Sequence, residues 1–251
     1  MKIYHELAPY YDRFMSFIDY ETEAEAIYRF LCQERKTNGH ILDIGAGSGG
    51  HLLPLLRRGL KVDGLDYAEE MLAILNSKIE KEGFASHLFH DDMRSFQTNG
   101  LYDVIYCFGE TVHHLSDTAE LADFFRCAYR SLKVGGSLLF SWQEKAYFTE
   151  LAEYGEFYEC HGDDYLLWQA SVAKDETATI AYTAFIKSEE ADDVYRRFRE
   201  THRLTVFDGK QIKKAAQTIG FCFCPDVTSF CFDDLLAEEP YKRVTILKKV
   251  N

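Results

Sequence analysis

The chain has 251 residues, 47% hydrophobic and 27% charged, the balance of a soluble globular protein long enough to bury a core without disulfide staples. Its formal charge of −13 sets up a field that repels phosphate backbones, so nucleic acid is disfavoured as the main partner. Seven cysteines in no repeating framework fit free thiols in a reducing cytoplasm, no run reaches the ~20 apolar residues of a membrane span, and "MKIYHELAPYYDRF" lacks the apolar stretch of a signal peptide.

The first predicted element is a helix over 20–34, where Ala24, Ile27, Tyr28 and Leu31 share a face. "HILDI" (40–44) predicts a strand. A helix follows from Gly49 to Gly59, with Pro54 near its first turns. "KVDGLD" (61–66) is a second strand, and 68–83 an amphipathic helix with acids at its start and Gly83 as its stop. Strands are expected at 86–90 and 102–108, a helix at 117–132, and a fifth strand at 136–142. Strict alternation of strand and helix implies a parallel sheet covered on both faces.

The pattern changes after 143. "YLLWQASVA" (165–173) and "TATIAYTAFIK" (177–187) alternate like antiparallel strands, and residues 144–200 hold 14 acids against 6 bases. Helix returns at 209–221 and strand at 241–249. Residues 144–200 therefore read as a cap inserted before the last sheet elements.

The stretch "ILDIGAGSGGHLL" (41–53) carries the chemistry. Glycine at alternating positions between a strand and a helix permits positive φ and close approach of a ligand. Gly45, Gly47 and Gly50 fit G-x-G-x-x-G, while Gly45, Gly47 and Gly49 fit G-x-G-x-G. Asp43 is an unfavourable neighbour for a pyrophosphate and a favourable one for an ammonium group. Together with the 39 residues ahead of the first strand, it argues against a nicotinamide dehydrogenase.

"ILDIGAGSG" resembles the first motif of class I S-adenosylmethionine-dependent methyltransferases, and further motifs follow in order. Asp66 ends the second strand 19 residues after Gly47, where the resemblance implies hydrogen bonds from both ribose hydroxyls. "DDMRSF" (91–96) is similar to the adenine-contact segment, through Asp92 and Met93. "YDVIYCFGETVHHL" (102–115) is similar to the fourth-strand motif, whose end faces the methyl group. "LKVGGSLLF" (132–140) resembles an L-K-P-G-G turn with Val134 in place of proline.

"YHELAPYYDRFM" (4–15) resembles the segment of small-molecule members in which a tyrosine closes over the methionine end, with Tyr11 ahead of Tyr4 and Tyr10. The implied fold is α/β and Rossmann-like, a doubly wound, mostly parallel seven-stranded sheet with an inserted antiparallel β cap. The implied domains are a core of 1–143 and 201–251, its segment 1–38 covering the site, and the 144–200 cap over the acceptor.

The resemblance implies S-adenosyl-L-methionine as cofactor, S-adenosyl-L-homocysteine as product, and in-line transfer to nitrogen or oxygen of a small molecule. The expected cofactor residues are Tyr11, Asp43, Gly45, Ala46, Gly47, Gly49, Asp66, Tyr67, Met71, Asp92, Met93 and Phe108. His113, His114 and Glu110, after the fourth strand, are candidates for catalysis, since a histidine there could act as a general base. Tyr10, Arg197 and Arg199 are candidates for acceptor binding, against a plain solvated edge for 195–203. Cys222 and Cys224 share a strand face and read as core thiols, Trp142 and Trp168 as packing residues. No metal site is expected. The chain is expected to be a cytoplasmic monomer or homodimer. An RNA or protein methyltransferase, or a non-catalytic binder of the cofactor, would carry the same core.

Overall fold

The computed structural model describes residues 3–98, 102–173, 177–189, 191, 193–223, 232 and 239–250. After a short α1 (Tyr11–Phe14), the elements run α2 (Tyr20–Gln33), β1 (His40–Ile44), α3 (Leu52–Arg57), β2 (Lys61–Asp66), α4 (Glu69–Glu82), β3 (Leu88–His90), β4 (Tyr102–Cys107), α5 (Thr118–Ser131) and β5 (Leu132–Gln143). Then come α6 (Lys145–Tyr154), β6 (Glu156–His161), β7 (Asp164–Val172), β8 (Thr177–Lys187), β9 (Tyr195–Thr205), α7 (Gly209–Ile219), β10 (Phe221–Phe223) and β11 (Lys242–Lys249).

The expected doubly wound architecture is present. The large sheet has the order β10-β11-β5-β4-β1-β2-β3, with β11 antiparallel to both neighbours and the other pairings parallel. Helix limits follow local chemistry. Asp19 caps α2 by accepting from the Thr22 amide, Asp117 caps α5 from Ala119 and Glu120, and Asp208 forms a capping box with Gln211. Gly83 ends α4 at φ +72°.

Several elements differ from expectation, among them β5, which begins at Leu132 rather than 136. Helix α3 starts at Leu52 rather than at 49, because Gly49 sits at φ +94°, outside any right-handed helix. Residues 145–154, expected within a strand-rich segment, form α6, whose Phe148 packs on Ala178, Ile180 and Leu204.

Two hydrophobic layers sandwich the large sheet. Ala24, Ile27, Leu31, Leu55 and Leu75 from α2, α3 and α4 pack with Ile41, Val62 and Val104. Leu121, Phe125, Ile212 and Ala216 from α5 and α7 pack with Leu42, Ile105 and Leu138. The second sheet, β6-β7-β8-β9, is antiparallel. Its inner face sets Leu166, Ala184 and Phe198 against Leu7, Phe14 and Met15 of the N-terminal segment. Trp168 stacks on Phe157 with ring centroids 4.1 Å apart, and Trp142 is buried, its indole N–H donating to the Thr245 hydroxyl at 3.0 Å. Cys222 is exposed rather than in the core, because alternation along β10 turns Phe221 inward instead. Cys224 lies outside the described residues.

A buried charge network ties the two ends of the chain to the α3 region. Glu23 of α2 hydrogen-bonds the His51 ring at 2.5 Å and pairs with Lys242 of β11, which also pairs with Glu239 at 2.8 Å. Burial alone would raise the Glu23 pKa, but the His51 hydrogen bond and Lys242 outweigh it and hold the group at about 2, against an ordinary 4.5. Lys242→Met leaves this carboxylate buried with one partner fewer and is expected to lower stability by about 3–5 kcal/mol in urea denaturation. The Glu23 contribution is complete above pH 4.5 and disappears as pH falls through about 2. Urea melts at a series of pH values are therefore expected to lose part of their slope over that window in Glu23→Gln.

Candidate functional site

Strand order reverses between β1 and β4, and a crevice opens at their carboxyl ends. There the described residues enclose a cavity of about 440 Å³, a volume of the kind that takes a small molecule. Its floor is the turn after β1. Gly45 and Gly47 have φ of +78° and +53°, a region that costs other residues strain. A Cβ at Gly45 would stand 2.5 Å from the Thr111 side chain. A Cβ at Gly47 would meet only Met71 Cε within 3.5 Å, so the backbone there lies open to the cavity.

Asp66 holds this turn to the start of α4. One carboxylate oxygen accepts from the Gly47 amide at 2.7 Å, the other from the Ala68 amide at 2.8 Å. Burial raises its pKa in spite of those bonds. Each oxygen keeps a second lone pair, and the residue lines the cavity. Asp43 differs. It is 1% exposed, lies outside the cavity lining, and its Oδ2 has no hydrogen-bond partner among the described residues. Burial pushes it up to about 7, opposed by His51 and the Tyr106 hydroxyl. Gly49 also lies outside the lining, and its φ lets Leu75 and Leu53 pack closely where a Cβ would collide.

At one end of the cavity stand Asp92 and Met93. The Asp92 carboxylate is gripped by Arg94, which accounts for its lowered pKa and also pairs with Glu120. Ala46, Tyr67, Met71 and Phe108 complete the expected lining, Tyr67 being largely exposed and the other three buried.

The N-terminal segment and the second sheet roof the other end. Tyr4, at φ +54°, packs edge-on against Tyr11, with centroids 5.6 Å apart, and against His202, 4.5 Å apart. The Tyr11 hydroxyl meets that of Tyr20 at 3.3 Å. The segment is held by Glu200 of β9, which is 6% exposed: one oxygen accepts from the Glu6 and Leu7 amides, at 2.5 and 2.9 Å. The other oxygen lies 3.5 Å from His202 Nε2.

The sequence candidates on this side separate clearly. Glu110 and His114 line the cavity. Burial, with His202 and His113 nearby, pushes His114 down to about 3, so its ring is neutral at physiological pH. His113 does not reach the cavity. Its Nδ1 donates to the Thr205 carbonyl at 2.7 Å, and its Nε2 accepts from the Gln143 amide at 2.9 Å, so both ring nitrogens are committed to backbone. Tyr10 stacks on Phe198 at 5.8 Å beneath the second sheet. Arg197 and Arg199 are exposed, because β9 turns Phe198, Glu200 and His202 inward and these two arginines outward. Thr201 and Arg203, further along β9, do reach the cavity rim, as do Tyr20, His51 and Thr111, none of which the sequence singles out as a site residue. Among the described residues no cluster of His, Cys, Asp and Glu could hold a metal ion, and no helix is long and apolar enough to cross a membrane.

Comparison with known proteins bears on the domain and the fold. Residues 41–136 match the family described as a methyltransferase domain. Over 220 residues the chain is 27% identical to the Bacillus subtilis (strain 168) protein named methyltransferase YqeM, covering 87% of this chain and 86% of that one. It is 25% identical over 203 residues, 80% of this chain and 77% of the relative, to a dTDP-3-amino-3,6-dideoxy-alpha-D-glucopyranose N,N-dimethyltransferase of Streptomyces fradiae. Its fold superposes on the crystal structure of an S-adenosylmethionine-dependent methyltransferase from Clostridium acetobutylicum ATCC 824 with a TM-score of 0.79, 19% identity and full coverage of both chains. The open face at Gly47, the Asp66 carboxylate beside it and the unpartnered oxygen of Asp43 below suit a nucleoside that carries an ammonium group. Residues 41–136 form a methyltransferase domain, and domain, fold and cavity together agree on an S-adenosylmethionine-dependent methyltransferase.

Proposed function

We propose that this enzyme moves a methyl group to a nitrogen or oxygen of a small molecule held between the glycine turn and the roof. The observation that carries this reading is the roof itself: an N-terminal segment and an antiparallel sheet, pinned to each other, cover a cavity of about 440 Å³. A macromolecular acceptor would need that cover removed, and the net charge of −13 opposes a nucleic acid. The core is read as 1–143 with 206–251 and the cap over the acceptor as 144–205, because the expected limit at 200 would cut β9, which stays paired to β8 as far as Thr205. Free thiols at all five described cysteines support a cytoplasmic setting.

When bound, the sulfonium of S-adenosylmethionine makes its methyl carbon electrophilic. The side chains then have to orient and exclude water. Asp66 accepts from the ribose hydroxyls through its remaining lone pairs. Asp92 and Met93 hold the adenine, with Arg94 fixing the Asp92 carboxylate. Asp43 supplies negative charge under the turn for the ammonium end, and Tyr11 and Phe108 cover the reacting centre. Holding acceptor, methyl and sulfur in line can contribute about 7–11 kcal/mol to the barrier reduction.

Calorimetric titration with S-adenosylmethionine tests the cofactor side. Asp66→Ala is expected to weaken binding by about tenfold or more, the loss of charge-assisted hydrogen bonds. Unchanged affinity would overturn the role given to Asp66. Glu200→Ala is expected to free residues 3–18, giving earlier cleavage by trypsin at Arg13 and a raised KM for S-adenosylmethionine. Glu200→Gln, which keeps an acceptor oxygen for both amides, is expected to restore most of the protection.

A further inference from the structure

Glu110 is the carboxylate on the roofed side of the cavity, and its surroundings are aromatic. It follows β4 and lines the cavity together with Tyr4, Tyr11 and His114. The Tyr147 hydroxyl of α6 hydrogen-bonds it. Tyr4 and Tyr11 from the N-terminal segment and Tyr182 from β8 all feel its charge. His202 of β9 packs edge-on to Tyr4, Tyr182 and His114, with centroids 4.5, 5.1 and 5.6 Å apart. Glu110 thus lines the cavity beside Tyr4 and Tyr11, and a half-buried carboxylate next to aromatic rings is an arrangement that stabilises an organic cation: the anion supplies charge, and the rings can supply a cation–π contribution.

We infer that Glu110 and the tyrosines around it form a binding box for an amine, and that the methyl acceptor is the nitrogen of a primary or secondary amine. This rests on the small-molecule reading above and narrows it. The amine enters as an ammonium ion and forms a charge-assisted hydrogen bond to Glu110. Its proton passes to the carboxylate, and the freed nitrogen lone pair bonds to the methyl carbon. The carbon–sulfur bond breaks with its electron pair staying on sulfur. A methylated ammonium and a neutral thioether result, and Glu110 returns its proton to solvent, so each turnover releases one proton. Burial and the neighbouring histidines hold His114 down to about 3, so its ring is the weaker proton acceptor of the two. Burial raises the Glu110 carboxyl's affinity for the proton, while Tyr147, His202 and Lys242 act in the opposite direction and Glu239 adds to it.

The test needs no knowledge of the natural acceptor. Wild type saturated with S-adenosylhomocysteine, which prevents turnover, is titrated by calorimetry with benzylamine and with benzyl alcohol. Benzylamine is expected to bind about tenfold tighter or more, and the preference is expected to vanish in Glu110→Gln. In turnover with benzylamine and S-adenosylmethionine, Glu110→Gln is expected to lower kcat/KM by about 100-fold with no change in affinity for S-adenosylmethionine. Tyr147→Phe keeps the carboxylate but removes a bond that favours its charged form, so the acid limb of the kcat/KM profile is expected to move to higher pH. Equal binding of alcohol and amine by wild type, or a preference that survives Glu110→Gln, would overturn the amine box and leave small-molecule transfer standing. Failure of wild type to bind S-adenosylhomocysteine would overturn both.

Discussion

β1 and β4 lie side by side and point the same way, yet the chain leaves them toward opposite edges of the sheet. Two connections that diverge cannot close over the strand ends between them, so a crevice opens there by topology alone. Every chemical feature of this protein is hung on that gap. β1 delivers the glycine turn, β4 delivers Glu110 and His114, and neighbouring β2 delivers Asp66. The rigid sheet fixes the spacing among them, and the loops supply the chemistry.

The cofactor side is built from local interactions. Asp66 reaches two residues forward to the Ala68 amide and across to Gly47, so one carboxylate sets both the start of α4 and the shape of the turn. Arg94 grips Asp92 two residues away. Such contacts need only the strand ends to be in place. The roof is built the other way, from long-range contacts: Glu200 meets Leu7, and Tyr182 and His202 approach Tyr4 only after the second sheet has formed and docked.

That difference decides what the sequence reveals. The glycine turn, Asp66, Asp92 and the alternation of strands and helices are legible because each depends on neighbours a few residues off. Asp43 and Gly49 are legible as part of the motif, but their burial beneath the turn is not, since it depends on Tyr106, Leu53 and Leu75. On β9 the alternation of residues is visible, and which face turns inward is not. Arg197 and Arg199 read as either pocket or solvated-edge residues, and only the docked second sheet shows that on their face it is Thr201 and Arg203, further along β9, that reach the cavity. His113 and His114 look equivalent in sequence. Only the backbone of Thr205 and Gln143, far along the chain, engages one ring and leaves the other facing the cavity.

The Glu200 clamp also bears on the order of events in a catalytic cycle. One carboxylate fastens the N-terminal segment to β9, and that segment places Tyr4 and Tyr11 over the cavity. A ligand using that end would pass the segment only with the Glu200 contact released. Opening of such a latch would then compete with methyl transfer to set the turnover number. A pre-steady-state burst, a first methylation faster than those that follow, is the kinetic form such a latch takes.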